Sequence, residues 1–305
     1  MSGGWNTIES DAGVFTYLLE NLGVKGVQFE ELISLDPDML AQLQPVHGVI
    51  FLFKYPTDTP YAPTSGPLDG TFDHAASETM FFARQTIQNA CGTQALLSVL
   101  MNKAEEIDLG DEMRNFRDFT LFLPPEYRGE SLGNSDLIRS VHNSFARSSP
   151  FVDETQRGGE TEDVFHFIAY TVHNNTLYEL DGLQPAPIAH GPCSQEQFPS
   201  KVVDVLQRRV ARYSSSEIRF NLLAMVGDQR VRAREFGDHE MLEREEKKRR
   251  DWISENSLRK HNFVGFSGEM LKLVVADKEA KGQYKEWVDQ SLERMKSQQA
   301  MYKKQ

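Results

Sequence analysis

The most constraining feature of the sequence is a polar segment, residues 85–93, that leads directly into an apolar run, residues 94–101. Because this run leaves almost no polar face, we expect a helix that is buried on nearly all sides at the centre of the core. Cys91 falls at the start of that helix, where unpaired backbone N–H groups and the positive end of the helix dipole favour a thiolate over a thiol. Gln85 precedes it closely, so its side-chain amide can lie beside the sulfur as an oxyanion donor. The pattern predicts that Cys91 is a nucleophile.

A second feature is a pair of strand-like runs joined around Asn174 and Asn175. They predict a β-hairpin, since Asn tolerates the positive φ that such turns need. If those two residues form the turn, Asp181 lies opposite Ile168, and His166 points to the same face of the sheet. A register slip of one residue would place His166 and Asp181 on opposite faces, so the prediction depends on this turn.

These residues together match the needs of thiol attack on a carbonyl, which are a thiolate, a base that later acts as an acid, and donors for the oxyanion. We predict Cys91 as the nucleophile, His166 as the general base and acid, Asp181 as the carboxylate that orients the ring, and Gln85 with the Cys91 N–H as the oxyanion hole. Each residue alone has a more ordinary interpretation as a core thiol, a structural histidine or a turn former. Their combination favours the catalytic one.

Composition limits the class of protein. The 305 residues can bury a substantial core, and the formal net charge of −12 argues against direct nucleic-acid binding. That charge suits a partner with a basic tail or surface, although a solvated acidic surface has the same composition. No run of apolar residues is long enough to cross a membrane, and residues 1–11 lack the pattern of a signal peptide.

The cysteine content indicates the compartment. Cys91 and Cys193 are the only two cysteines, so a disulfide framework is not expected and a reducing cytosolic or nuclear compartment is. Without a CxxC pair or a paired histidine box, neither a zinc site nor another metal or cofactor is predicted. No role is predicted for Cys193.

Apolar spacing and composition predict the remaining elements. We expect helices over residues 12–22, 37–43, 109–122, 134–145 and 195–213, a short helical piece at 30–32, an interior strand over 49–55, a further strand over 217–226, and loops over 57–76 and 147–163. Residues 228–260 are dominated by charge and predict a solvent-exposed helix or linker with few core positions. Two amphipathic helices are expected near 270–275 and 284–295.

Several segments resemble a known family. Residues 85–94 are similar to the active-site signature of the ubiquitin carboxyl-terminal hydrolases, and residues 165–167 and 177–183 are similar to that family's histidine and aspartate segments. Further similar segments are residues 5–23, 45–54 and 134–147. The resemblance covers the chain from residue 5 to about residue 226, with all motifs in the family's order.

The resemblance implies an α/β fold: a papain-like α/β/α sandwich with a mostly antiparallel central sheet and a knotted path, plus a helical C-terminal extension. It implies a catalytic domain over residues 5–226, an extension over 227–305, and ubiquitin as the substrate. The basic tail of ubiquitin would suit an acidic enzyme. Residues 147–163 correspond to the family's crossover loop, which limits the leaving groups that can pass the site.

The end of the chain, from Arg259 to Phe263 and at the lysine-rich terminus, resembles the long-tailed, proteasome-associated branch of this family. The resemblance implies that the extension binds the ubiquitin receptor of the proteasome's regulatory particle, in the cytoplasm and nucleus. Packing against the catalytic domain and self-association are the alternatives. Alternative functions are hydrolysis of a ubiquitin-like modifier, acyl transfer with the same triad, and an inactive adaptor that acts through residues 228–305.

Overall fold

The computed structural model describes residues 4–54, 66–87, 89–145, 165–213 and 220–302, with side chains as far as residue 296. The predicted loop at 147–163 therefore lies outside the described residues, as do the first part of the predicted loop at 57–76 and the start of the predicted strand at 217–226.

The centre of the molecule is a seven-stranded sheet in which every pair of neighbours is antiparallel. The strand order is β1-β7-β2-β4-β5-β6-β3. The strands are β1 (Val27–Glu31), β2 (Val46–Lys54), β3 (Thr71–Phe72), β4 (Phe165–His173), β5 (Thr176–Leu180), β6 (Ile188–Pro192) and β7 (Asn221–Gly227).

Twelve α-helices occur within the described ranges, and a 3₁₀ turn, Met101–Lys103, follows the fourth. They are α1 (Ala12–Asn21), α2 (Pro37–Gln42), α3 (Ala76–Thr79), α4 (Cys91–Leu100), α5 (Gly110–Thr120), α6 (Pro125–Asn134), α7 (Asp136–Asn143), α8 (Phe198–Val210), α9 (Gln229–Phe236), α10 (His239–Lys260), α11 (Val264–Ala280) and α12 (Tyr284–Tyr302).

The sheet separates two hydrophobic cores. One contains the buried faces of α1 and α4, including Phe15 and Leu96. The other contains the buried face of α8, including Val202 and Leu206. Strand β2 pairs with both β4 and β7, which confirms the predicted interior strand. Helices on both faces of an antiparallel sheet confirm the predicted layered α/β arrangement, whereas the knotted path stays a prediction.

The predicted hairpin is confirmed in its turn and in its register. Asn174 and Asn175 have φ of 47° and 56°, the left-handed conformation that a two-residue turn of this kind requires. His173 pairs with Thr176, and Ala169 pairs with Leu180. The two strands therefore carry His166 and Asp181 toward the same end of the hairpin.

Two elements differ from the sequence-based predictions. The short helical piece at residues 30–32 was wrong, because residues 27–31 form an edge strand on β7 in which Phe29 is fully buried. Helix α6 was not predicted, since Gly129 and Gly133 lower its intrinsic helix propensity. Tertiary packing overrides local preference in both cases.

The chain forms two compact units. The first contains the sheet and extends through Lys260, and the second comprises residues 261–302 of the described chain. Residues 229–260 therefore belong to the sheet-bearing unit. Helix α10 is the charged helix with few core positions that the composition of residues 228–260 predicts, because its buried residues are Glu245, Arg249 and Asn256. The division of the catalytic domain from its extension at residues 226 and 227 stays a prediction. Across the described residues, none of the helices has the length and hydropathy that a bilayer-spanning segment needs.

Candidate active site

Cys91 is the first residue of α4, and the helix is buried as its sequence predicts. Every residue from Gly92 to Leu100 is buried, whereas Cys91 itself is only half-buried. Asn89 precedes the helix with φ of 71°, a left-handed conformation that Asn tolerates better than most residues. Its side-chain amide donates to the Trp5 carbonyl at 3.3 Å. The chain therefore turns sharply before Cys91 and presents the sulfur at the end of a rigid helix.

His166 lies at the start of β4, between Cys91 and Asp181. Its Nε2 is 2.7 Å from Asp181 Oδ1, and the Cys91 side chain lies near enough to the ring to raise its pKa. Both members of the His–Asp pair are buried, with 3% and 0% of their surfaces exposed. Burial of the ring opposes the imidazolium, but the Asp181 carboxylate and the Cys91 sulfur favour it more strongly, and the pKa of His166 is raised to about 9.

Asp181 acts both as a turn former and as the partner of His166, the two roles that its sequence context suggests. Its Oδ1 accepts from the Leu183 N–H at 3.0 Å, as in a turn-forming aspartate, and the same oxygen holds His166. Gln184 Nε2 lies 3.5 Å from Asp181 Oδ2. A buried carboxylate with these contacts is fixed in position, so the ring that it holds is fixed as well.

Gln85 lies against the turn that follows β5. Its backbone N–H donates to the Gly182 carbonyl at 2.8 Å, and its side chain is half-buried. A Cβ added at Gly182 would lie 2.1 Å from Gln94 Nε2 and 3.0 Å from the Gln85 Cβ. A side chain here would displace the Gln94 amide from the Ala83 carbonyl, so Gly182 lets the Gln85 segment, the Asp181 turn and helix α4 meet. The structure thus places all four predicted site residues in one region.

Some residues at the site were not predicted from the sequence. Thr93, in the first turn of α4, bonds His142 Nδ1 at 2.7 Å, and His142 Nε2 donates to the Asn6 carbonyl at 2.6 Å. Burial lowers the pKa of His142, so its neutral ring links α4 to the N-terminal segment. The sequence around Thr93 carries no signal of this contact, because its partner lies 49 positions away.

In the part of the chain that the structure describes, no cluster of three or more His, Cys, Asp or Glu side chains is arranged to hold a metal ion. The polar groups around Cys91 instead bond to one another and to the backbone. The chemistry that this arrangement supports is nucleophilic attack by sulfur with an imidazole as the proton carrier.

A cysteine that begins a buried helix and faces a histidine–carboxylate pair on an antiparallel sheet defines the papain-like class of thiol hydrolases. Comparison with known proteins gives the family. A model of ubiquitin carboxyl-terminal hydrolase, family 1, matches residues 5–211, and a second model, of ubiquitin carboxyl-terminal hydrolases, matches residues 239–279. The chain belongs to the ubiquitin carboxyl-terminal hydrolase family and is a cysteine-type enzyme of it.

Similar proteins cover most of this chain. Ubiquitin carboxyl-terminal hydrolase 2 of Schizosaccharomyces pombe is 52% identical over 283 residues, which are 90% of this chain and 92% of that protein. Ubiquitin carboxyl-terminal hydrolase ubh-4 of Caenorhabditis elegans is 37% identical and covers 90% of this chain and 89% of its own.

A solved structure extends the comparison to the fold. Trichinella spiralis UCH37 bound to ubiquitin vinyl methyl ester has a TM-score of 0.63 and 33% sequence identity, and covers 84% of this chain and 99% of that one. These similarities confirm the predicted family and the papain-like fold, and they indicate a UCH37-like member.

Proposed function

We propose that this protein is a deubiquitinase that hydrolyses peptide and isopeptide bonds after the C-terminal glycine of ubiquitin. Cys91 is the nucleophile, His166 the general base and acid, and Asp181 the residue that orients His166. The observation that carries this proposal is that the buried His166 ring bonds the Asp181 carboxylate at 2.7 Å and that the half-buried Cys91 lies near enough to raise the pKa of the same ring.

Acylation begins once the proton of the Cys91 thiol has moved to His166, which leaves a thiolate and an imidazolium. Since Nε2 of the ring is bonded to Asp181, Nδ1 is the nitrogen available for this proton. The sulfur attacks the carbonyl carbon of the terminal glycine, and a C–S bond forms as the carbonyl becomes an oxyanion. The C–N bond then breaks, the leaving amine takes the proton from His166, and a thioester remains on Cys91.

Deacylation reverses the roles of the same groups. Water attacks the thioester carbonyl and gives a proton to the neutral His166 ring. The C–S bond breaks, Cys91 leaves as a thiolate, and ubiquitin is released with a terminal carboxylic acid, which gives its proton to solvent and becomes a carboxylate. His166 keeps the proton that it took from water, so the starting pair of a Cys91 thiolate and a His166 imidazolium is restored. A raised pKa at His166 suits this cycle, because the resting imidazolium can donate to a leaving amine.

Gln85 and the backbone N–H of Cys91 supply the oxyanion hole in this proposal. The N–H belongs to the first residue of α4 and has no partner within the helix, as at every helix N-terminus. The Gln85 side chain is half-buried on the segment that leads into this turn. Donors fixed in position before the reaction stabilise the developing charge without reorganisation.

Substrate recognition is supported by charge as well as by family. The chain has a formal net charge of −12, which attracts a basic peptide tail such as the C-terminal tail of ubiquitin. The similar UCH37 structure is a complex with a ubiquitin-derived ester. Reactive probes test this assignment: a ubiquitin vinyl ester should label Cys91, and probes built on ubiquitin-like modifiers should not. Labelling by another modifier alone would reassign the substrate.

The C-terminal extension is proposed to bind a ubiquitin receptor of the proteasome's regulatory particle. Helix α11 contains no buried residue, and it exposes a set of large apolar side chains: Phe266, Met270, Leu271, Leu273 and Val274. Exposed apolar side chains of this kind suit a protein partner. The match of residues 239–279 to a model of the same family supports a shared role for this region. Pull-down of the purified receptor by residues 261–305 tests it.

A cytoplasmic and nuclear location is proposed on the basis of the cysteines. Neither Cys91 nor Cys193 forms a disulfide, and a reducing compartment protects a half-buried catalytic thiol from oxidation. Fractionation of cells that express the full chain would test this location, and recovery from a secreted fraction alone would contradict it.

A further inference from the structure

The segment that carries Gln85 has no regular secondary structure of its own. Residues 80–85 run without helix or strand toward the turn before Cys91, yet Met80 and Phe82 are buried. Two of the carbonyls along this segment accept from one side chain. Nη1 of Arg128, on α6, lies 2.9 Å from the Met80 carbonyl and 3.1 Å from the Phe82 carbonyl. A single guanidinium therefore replaces the ladder bonds that a neighbouring strand would supply.

The rest of that guanidinium is fixed from the other side. Arg128 Nε donates to the Thr120 carbonyl at 3.2 Å, and Nη2 donates to the Leu121 carbonyl at 2.9 Å, both at the C-terminal end of α5. Only 2% of Arg128 is exposed, and burial lowers its pKa. Its described partners are four backbone carbonyls rather than a carboxylate. A buried arginine with such partners is costly to desolvate, and its charge is held by these dipoles.

Hydrogen bonds also hold the opposite edge of residues 80–85. Asn102 accepts from the Phe81 N–H and donates to the Phe81 carbonyl, both at 2.8 Å. Gln94 Nε2 donates to the Ala83 carbonyl at 2.6 Å. Phe81 and Ala83 thus bond side chains from α4 and the 3₁₀ turn after it. Arg128 binds the carbonyls of the alternate residues, Met80 and Phe82. The direction in which Gln85 leaves the segment depends on both edges.

Helix α6 also approaches this segment through glycines. The Arg84 N–H donates to the Pro125 carbonyl at 2.9 Å. A Cβ at Gly129 would lie 1.9 Å from the Arg84 carbonyl oxygen, so that position admits no side chain. A Cβ at Gly133 would lie 2.2 Å from Ile87 Cδ1, which is the far end of a flexible side chain. The contact at Gly129 is therefore rigid, and the contact at Gly133 can adjust.

We propose that Arg128 is a positioning residue for the oxyanion hole: by binding the Met80 and Phe82 carbonyls it sets where the Gln85 amide lies relative to Cys91. The proposal rests on the proposed function, in which Gln85 stabilises the oxyanion. It assigns a role in catalysis to a helix that carries no residue of the triad.

The first test is the variant Arg128→Lys in the full chain, assayed with ubiquitin that carries a fluorogenic C-terminal amide. Lysine keeps the charge but cannot span the carbonyls on both sides. Because a whole oxyanion donor is worth about 10²- to 10³-fold in kcat, displacing one should lower kcat roughly tenfold and leave KM within about twofold. Arg249→Lys is the matched control, since Arg249 is also a buried arginine but its described ion pairs go to Glu20 and Asp228 and not to residues 80–85. It should leave kcat unchanged.

A double-mutant cycle separates a positioning role from a general loss of stability. In a Gln85→Ala background the kcat effect of Arg128→Lys should shrink to less than about twofold, because the donor that it positions is gone. Full additivity of the two losses would overturn the proposal. If Gln85→Ala alone leaves kcat unchanged, the oxyanion role in the proposed function fails. If Gln85→Ala lowers kcat but Arg128→Lys does not, only the positioning role fails.

A second pair of variants tests the same point without changing the arginine, and it decides the question if Arg128→Lys does not fold. Gly129→Ala forces the Arg84 backbone away from α6 and should reproduce the fall in kcat with little change in KM. Gly133→Ala places the same methyl group on the same helix against the flexible end of Ile87 and should have a smaller effect on kcat. Equal effects of the two alanines on kcat would contradict the proposal.

Discussion

Helices α10 and α11 follow each other in sequence but are used in opposite ways. Helix α10 is one of the most highly charged stretches of the chain, and yet it buries Glu245, Arg249 and Asn256 in the sheet-bearing unit. Helix α11 carries a larger share of apolar residues and buries none of them. Apolar content therefore does not decide which of the two helices packs within its own unit. A helix packs within its unit when particular side chains find contacts there, and α10 finds them on α1.

The partners of α10 are spread along α1. Trp252 packs so closely that a Cβ on Gly13 would lie 2.8 Å from the indole ring, and Asn256 donates to the Gly13 carbonyl at 3.0 Å. Arg259 Nη2 binds Asp11 Oδ2 at 2.9 Å. One aromatic contact, one amide hydrogen bond and one ion pair thus replace the apolar stripe of an ordinary packed helix. By contrast, α11 buries none of its apolar side chains.

The largest expected effect concerns the sheet-bearing unit. Cys91→Ala should lower turnover by roughly 10⁴-fold or more, because the nucleophile is lost, while ubiquitin binding stays within about twofold. The assay is hydrolysis of a fluorogenic ubiquitin amide together with calorimetric titration of ubiquitin. Cys193→Ala is the matched control, since Cys193 is buried in the opposite core and should be dispensable for turnover. Equal loss of turnover and of binding in Cys91→Ala would argue against a nucleophile.

Asp181→Asn should be milder than His166→Ala, with a loss in kcat about 10- to 100-fold smaller, since the aspartate only orients and stabilises the base. The pKa of the His166 ring should fall below about 9, because burial then acts without the opposing carboxylate. An NMR titration of the His166 ring in both proteins measures this shift. An unchanged pKa would show that Asp181 does not hold the imidazolium.

The pair of His166 and Asp181 predicts that the free energy of unfolding depends on pH. The folded pKa of His166, about 9, lies above the ordinary value of 6.5. The stabilisation that the pair contributes is therefore fully present below about pH 6.5 and is lost as the pH rises through 9. The difference in unfolding free energy between the wild type and Asp181→Asn should follow that window in denaturant titrations at pH 6 and pH 9.5. A difference that grows with pH would be inconsistent with the pair.

The site was predictable because its signals are local. The buried helix at Cys91 follows from one apolar run, and the hairpin register follows from Asn174 and Asn175, so the residue order alone is enough to pair His166 with Asp181. Helix α6 and the docking of α10 were not predictable in this way. Arg128 binds backbone carbonyls, and Trp252 packs against Gly13. Both partners come from distant parts of the chain, so neither contact produces a periodic pattern in the sequence.

Truncation tests where the folded unit ends. A chain that stops at residue 226 loses the contacts of Trp252, Asn256 and Arg259 with α1, and its Tm should fall by roughly 5 to 10 °C. A chain that stops at Lys260 keeps them and should keep the Tm of the full protein within about 2 °C. Differential scanning calorimetry on both chains measures this difference. Equal melting temperatures would mean that α10 contributes nothing to the stability of the sheet-bearing unit.

The smallest expected effect concerns α11, and it separates stability from partner binding. Leu271→Ser and Leu273→Ser alter side chains that are 57% and 66% exposed, so the unfolding free energy should change by less than about 0.5 kcal/mol. Basal hydrolysis of a fluorogenic ubiquitin amide should not change, since no residue of the site lies in α11. If the exposed apolar side chains of α11 bind the proteasome receptor, at least one of the two leucine substitutions, which lie on opposite sides of the helix, should weaken that binding by about tenfold or more. The reason is that a buried leucine contributes about 1.5 kcal/mol or more. Lys272→Ser, in the same turn but charged and exposed, is the matched control and should leave receptor binding nearly unchanged. Receptor binding that is equally insensitive to all three substitutions would place the docking surface elsewhere on the chain.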